Sequence, residues 1–183
     1  LSETIRLLDS ARKFLEELFK AKPTAKILVV GTLPSAEEAV KNLSQKFNFP
    51  YVTTRWIGGT LTNFKIIHAR IEHFKTLKSQ KISGGLDKYT KKERLMIDRE
   101  IERMDRIFSG IEIMSQQPDV LLVFNAKALD IAIREARIMK IPIIAVLNTD
   151  TNRKDIDFII PANDNIKSSI NWIASYLEKS FVV

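Results

Sequence analysis

Lys26-Ile-Leu-Val-Val-Gly31 is the stretch on which the fold turns. It is a short aliphatic run, rich in β-branched residues, with no polar residue inside it. A strand with one wet face alternates apolar and polar residues. An unbroken apolar run predicts a strand covered on both faces, as in parallel sheets. Asp119-Val-Leu-Leu-Val-Phe124 and Pro142-Ile-Ile-Ala-Val-Leu147 repeat the pattern. Pro50-Tyr-Val-Thr-Thr54 and Asp157-Phe-Ile-Ile160 read as two shorter strands.

Helical periodicity fills the gaps between strands. Leu1, Ile5, Leu8, Leu15 and Leu18 fall near one face of a first helix that stops before Pro23. Ser35-Ala-Glu-Glu38 has the spacing of a capping box and predicts a helix to about Phe47. Leu129, Ala132, Ile133, Ala136 and Met139 line one face of a helix from Lys127 to Lys140. A last helix is expected from near Asp164, with Ile166, Ile170, Ile173, Ala174 and Leu177 inward. Strands alternating with helices predict right-handed crossovers and helices on both faces of a parallel sheet. The expected architecture is flavodoxin-like: three-layer α/β/α, a five-stranded parallel sheet, strand order 2-1-3-4-5.

Residues 60 to 116 interrupt this alternation. Phe64, Ile67, Ile71 and Phe74 step by three and four, as do Ile97, Ile101, Met104, Phe108 and Ile111. Both series have the 3.5-residue period of a coiled-coil seam. Ser83-Gly84-Gly85 supplies a turn between them, and Thr90-Lys-Lys-Glu93 a second capping box. The prediction is an α/β domain from residues 1–59 and 117–183, carrying an inserted antiparallel coiled-coil hairpin at 60–116.

The hairpin is also where the charge lies. The 183-residue chain has 29 Lys and Arg against 22 Asp and Glu, a net charge of +7. Residues 55 to 106 hold 13 basic and 7 acidic residues, so this segment carries +6 of that excess. A localised basic excess suits an anionic partner, above all nucleic acid. The body is close to neutral.

Composition removes several classes of function. The absence of cysteine excludes disulfides, thiolate zinc sites and cysteine nucleophiles, and fits an intracellular protein. His68 and His73 are five residues apart and diverge on a helix, so no metal pair is expected. No apolar run approaches the roughly 18 residues of a membrane span. Leu1 to Lys20 is amphipathic and contains acids, unlike a signal peptide, and with a first residue other than Met, missing N-terminal residues are expected.

In open parallel sheets ligands bind beyond the carboxyl ends of the strands. That rim holds Gly31, Thr32, Thr53, Thr54, Arg55, Asn125, Asn148, Thr149, Asp150, Asn163 and Asp164. Gly31-Thr-Leu-Pro-Ser35 has one glycine where a dinucleotide turn needs several, and no phosphate-binding GxxxxGK run is present. A phospho-receiver needs an acid after strand three and a lysine after strand five; Asn125 and Pro161 stand there. No catalytic residue and no cofactor is expected. A nucleotide-binding enzyme that uses the rim is the alternative reading, and a coiled-coil interaction module a third.

Arg55-Trp-Ile-Gly-Gly-Thr-Leu-Thr-Asn63 admits two readings. Two glycines before a helix start can expose backbone N–H groups to an anion such as phosphate, with Trp56 stacked on a base. Alternatively it is a tight turn into the hairpin, with Thr60 or Thr62 as N-cap and Trp56 in the core.

This stretch resembles the bacterial and organellar small-subunit ribosomal protein S-two family, whose pattern is R-W-(L or I)-G-G-T-L-T-N-(F or W). Further matches follow in order along the chain. They are Tyr89-Thr-Lys-Lys-Glu93, Ser109-Gly110-Ile111, Pro118-Asp119, Glu135-Ala-Arg137 with Ile141-Pro142, and Asp155-Ile-Asp157 with Ile160-Pro-Ala-Asn-Asp164. Asn148-Thr149-Asp150 stands where the family often reads D-T-N, and the family's N-terminal H-x-G-H and W-N-P segments precede the region covered. The resemblance implies a structural protein of the small ribosomal subunit at the head–body junction, with no catalytic role. It implies small-subunit rRNA and neighbouring ribosomal proteins as partners, ribosomal protein S-one among them in many bacteria, and no membrane. The setting it implies is the bacterial cytoplasm, with a mitochondrial or plastid ribosome as the alternative. On this reading Arg55, Thr60, Thr62 and Asn63 contact RNA or fix the hairpin's exit angle. Lys65, Lys75, Lys78, Lys81, Lys88, Lys91, Lys92 and Arg94 supply charge to rRNA phosphates.

Overall fold

Each strand has inward side chains on both sides, and two separate apolar clusters form as a result. A computed structural model describes residues 2–86, 88–148 and 154–181. Strands β1 (Ile27–Val30), β2 (Tyr51–Val52), β3 (Val120–Phe124), β4 (Ile143–Leu147) and β5 (Phe158–Pro161) form one sheet in the order β2-β1-β3-β4-β5. Every pairing is parallel, with Ile27 opposite Val120, Leu121 opposite Ile143 and Ile144 opposite Phe158. All residues of β1, β3 and β4 are buried, the signature that their unbroken apolar runs announced.

Alternation along each strand divides its side chains between the clusters. Ile27, Val29, Leu122, Phe124, Ile144 and Val146 face α1 (Ser2–Ala21), α2 (Pro34–Phe47) and α6 (Lys167–Glu178). Leu28, Val30, Leu121, Val123, Ile143 and Ala145 face α5 (Asp130–Ile138) and the roots of α3 (Phe64–Ile82) and α4 (Lys91–Phe108). Ile67, Ile71, Phe74, Ile101, Met104 and Phe108 of the helical seam belong to this second cluster. The hairpin therefore grows out of the core of the body.

Carboxylates just before β3 and β5 hold the strands in place. Asp119 accepts the Lys26 N–H at 2.8 Å and pairs with Lys22, tying the start of β1 to β3. Asp157 accepts the Ile143 N–H at 2.9 Å, which does the same for β4 and β5.

Several local expectations shift. On α1 the buried stripe is Leu8, Ala11, Leu15 and Phe19, while Ile5 is exposed, and Leu1 lies outside the described residues. Helix α2 begins at Pro34, one residue before the anticipated box; Leu33 is the N-cap and no side chain caps it. Proline suits that first position because the N–H it lacks has no helical partner anyway. The predicted helix over 127–140 divides into a 3₁₀ turn, Ala126–Leu129, and α5. Helix α6 starts at Lys167, which leaves Ile166 exposed. The Thr90–Glu93 box forms as predicted, with both reciprocal bonds.

Candidate functional site

Glu135 organises the loop that leads into the hairpin. It sits on α5 between Ala132 and Ala136, and is 6% exposed. Its Oε1 accepts the indole N–H of Trp56 at 3.0 Å and the Gly59 N–H at 2.8 Å. Its Oε2 accepts the N–H groups of Leu61 at 3.0 Å and Thr62 at 3.2 Å, and the Thr62 hydroxyl at 3.3 Å. Gly59 makes this wrap possible: its φ of 89° is one that residues with a Cβ rarely adopt. Burial pushes the Glu135 carboxyl upward, but the hydrogen bonds from Leu61, Trp56, Gly59 and Thr62 together outweigh it and hold it below the ordinary carboxylate range.

The backbone cradle that the sequence offers to a phosphate is thus filled by the protein's own carboxylate. Trp56 is in the core, 8% exposed, with its indole N–H held by Glu135. Thr60 is 1% exposed and its hydroxyl donates to the Ile57 carbonyl at 2.6 Å, so it serves the turn and is closed to an external ligand. The helix N-cap is Asn63, not Thr60 or Thr62, and no side chain caps α3. Thr62 and Asn63 are exposed at the helix start. Glu135 itself is visible in the sequence only as part of a motif; the signal is an acid set against an otherwise apolar helical face.

Three residues of the strand-end rim carry structural roles. A Cβ on Gly31 would lie 2.8 Å from the Ala36 Cβ and 2.9 Å from a Val40 methyl, so the glycine lets α2 pack on β1. Asn125 has a left-handed φ of 72° and its side chain caps the following turn through the Ala128 N–H. The Thr54 hydroxyl donates to the Arg106 carbonyl, joining β2's end to α4. Thr149 and Asp150 lie outside the described residues.

The basic residues of the hairpin divide into two sets. Lys75 pairs with Glu72, Lys78 with Glu112 and Lys81 with Asp98, at 2.7 to 2.9 Å. These lysines are partly neutralised within the chain. Arg94 donates through Nε to the Tyr89 carbonyl at 3.0 Å, and Lys88 sits 5.3 Å from the Tyr89 ring centre. Lys65, Lys91 and Lys92 are exposed and make no ion pair among the described residues. The same holds for Arg55, Arg70, Arg99, Arg103 and Arg106.

Three of those arginines share one cleft. Arg55 from the loop, Arg70 from α3 and Arg103 from α4 line a cleft of about 570 Å³ at the hairpin's root. Its apolar lining comes from Trp56, Ile57, Met104, Ile107 and Phe108. His73 and Glu100, 4.0 Å apart, stand on facing helices at its margin. In the sequence Arg70 and Arg103 count only toward the hairpin's overall charge, because the packing of α3 on α4 is what brings them to Arg55.

Among the described residues no helix is long and apolar enough to cross a membrane, and no cluster of acids and histidines could hold a metal ion.

The model of the family described as ribosomal protein S2 matches residues 1–182. The small ribosomal subunit protein uS2 of Psychromonas ingrahamii is 40% identical over 178 residues, 97% of this chain and 71% of that protein. The uS2 protein of Hahella chejuensis is 38% identical over 180 residues, covering 98% and 70%. That of Pseudoalteromonas translucida is 41% identical over 165 residues, covering 90% and 67%. With a match that runs the length of the fold, the chain belongs to the ribosomal protein S2 family.

Proposed function

We propose that this chain is a structural protein of the small ribosomal subunit, and that its basic hairpin is the arm by which rRNA holds it. The full-length family match is the observation that carries the reading. The hairpin's role is supported by its cations that make no ion pair among the described residues, while the body is nearly neutral.

Residues 1–59 and 117–183 form the platform on this reading, and residues 60–116 the arm. Contacts go to phosphates presented by RNA shape, since lysines and arginines without fixed partners read position, not base sequence. Lys65, Lys88, Lys91, Lys92 and Arg94 supply charge, with Lys75, Lys78 and Lys81 contributing after their internal pairs exchange for phosphate. Arg55 faces RNA at the root. Thr60, Thr62 and Asn63 set the angle at which the hairpin leaves the body. The protein catalyses no reaction and works in the cytoplasm of a bacterium, or in an organelle of bacterial descent. The near-neutral outer helices suit neighbouring ribosomal proteins, including ribosomal protein S-one where that protein is present.

The test is re-binding of the chain to small subunits depleted of it, across a salt series. Each phosphate neutralised contributes a slope of roughly 0.7–0.9 in log K against log salt. A steep negative slope is the expected result. Micromolar nucleotide binding at the Gly31–Ser35 turn, with no uptake by subunits, would instead favour an enzyme.

A further inference from the structure

We propose that the cleft at the hairpin's root receives a single unstacked rRNA nucleotide, its base on the apolar floor and its flanking phosphates on Arg55, Arg70 and Arg103. The inference rests on the reading of this chain as an rRNA-binding protein, and names the part of the RNA that the site takes.

Three observations lead there. The cleft pairs an apolar floor with guanidinium walls. That combination matches a nucleotide, which has a flat apolar face and an anionic linkage, better than it matches a bare phosphate or an apolar side chain. Its three arginines make no ion pair among the described residues, and Glu100 is the one acid on its lining, so the cleft keeps a positive excess. Planar guanidinium groups both bind phosphate through two N–H bonds and stack on bases.

The third observation is Gly58. It lines the cleft, yet the fold has no need of a glycine there. Its φ is not in the left-handed region, and a Cβ added to it would meet no atom within 4 Å. This contrasts with Gly31, Gly59 and Gly110, each of which is held to glycine by a near contact or by its φ. No described residue accepts a hydrogen bond from the Gly58 N–H. A glycine without an internal reason, beside an N–H and three cations that have no partner among the described residues, leaves room for the close approach of a ligand to the backbone.

Two variants of the full chain separate floor from wall. Arg70→Gln with Arg103→Gln removes two cations that have no internal partner among the described residues, so the thermal midpoint should stay unchanged. Gly58→Leu adds a side chain at the mouth without altering charge. Each is bound to depleted small subunits across a salt series. The rRNA is probed on all four bases with dimethyl sulfate, kethoxal and carbodiimide.

The wild-type chain should protect one unpaired base. The double glutamine variant should lose tenfold or more in affinity, and its salt slope should fall by about 1.4–1.8. Gly58→Leu should lose the base protection and keep the slope. If both variants match the wild type in affinity, slope and protection, the cleft takes no RNA, while subunit binding by the wild type would leave the broader reading standing. If the glutamine pair weakens binding but no unpaired base is protected, the site holds phosphate alone and the inserted nucleotide is wrong. Lost affinity with an unchanged slope would assign the cleft to a protein neighbour and overturn the inference. A wild-type chain that no subunit takes up would sink the rRNA reading itself.

Discussion

Glu135→Ala is the substitution whose consequence follows most directly from the structure. It leaves the Trp56 indole N–H and the Gly59, Leu61 and Thr62 N–H groups without their acceptor. Trp56 is 8% exposed and Leu61 is fully buried, so water cannot easily replace the carboxylate at those two donors. A stranded buried donor costs about 1–3 kcal/mol, giving about 2–6 kcal/mol for the pair. A middle value of about 4 kcal/mol corresponds to a fall of roughly 8–16 °C in Tm for a chain of this size. Glu135→Gln keeps one acceptor oxygen but turns an NH₂ group toward two other donors, so about half that loss is expected. Thermal unfolding followed by circular dichroism gives the first readout. The second is geometric. Because the chain has no cysteine, spin labels can be placed at Ile82→Cys and Ile131→Cys, which are 86% and 60% exposed. If Glu135 fixes the hairpin's exit, the distance between them broadens in Glu135→Ala. A Tm within about 2 °C of wild type, together with an unchanged distance distribution, would refute the role assigned to this carboxylate.

Further tests concern pH, the paired glycines, the hairpin tip and its cap. Because the folded Glu135 carboxyl is held low, its contribution to stability is complete above the unfolded value of about 4.3 and fades as pH falls through the folded one. Acid unfolding of Glu135→Gln should lack that component, and identical acid profiles would contradict it. Gly59→Ala forces a Cβ into a backbone with φ 89° and should destabilise by about 1–2 kcal/mol, whereas Gly58→Ala should leave Tm within error. Equal effects at the two glycines would mean that the loop's geometry is wrongly described. Lys88→Ala with Lys91→Ala and Lys92→Ala should lower the salt slope of subunit binding by about 2–2.7, and an unchanged slope would remove the tip from the RNA interface. Thr90→Ala deletes one half of a capping box and should cost about 1 kcal/mol in unfolding titrations; no change would show that the box is idle.

The sheet is readable from sequence because its strands are short, apolar on both faces and separated by periodic helices. Ile27–Val30, Val120–Phe124 and Ile143–Leu147 need no tertiary information. The hairpin seam is equally plain, since a 3.5-residue period sustained over two segments marks helices packed side by side. The helix starts are harder. Pro34 and Ser35 both carry N-terminal signals, and proline at the first helical position wins. The candidate site is only half legible. The loop's N–H groups do form an anion cradle, but whether the anion comes from outside or from α5 depends on a contact 73 to 79 residues away. The same limit hides the cleft. Arg103 joins Arg55 and Arg70 on the cleft's lining only because α4 returns beside α3. Local patterns give elements; convergent sites need the packing.

Binding to the small subunit through phosphate contacts is tested most directly by sedimenting the tagged chain through sucrose gradients of a bacterial lysate over increasing salt. The chain should travel with the small subunit at low salt and be released as salt rises, and release of the Arg70→Gln, Arg103→Gln variant should come at lower salt. A chain that stays at the top of the gradient at every salt concentration would contradict the assignment.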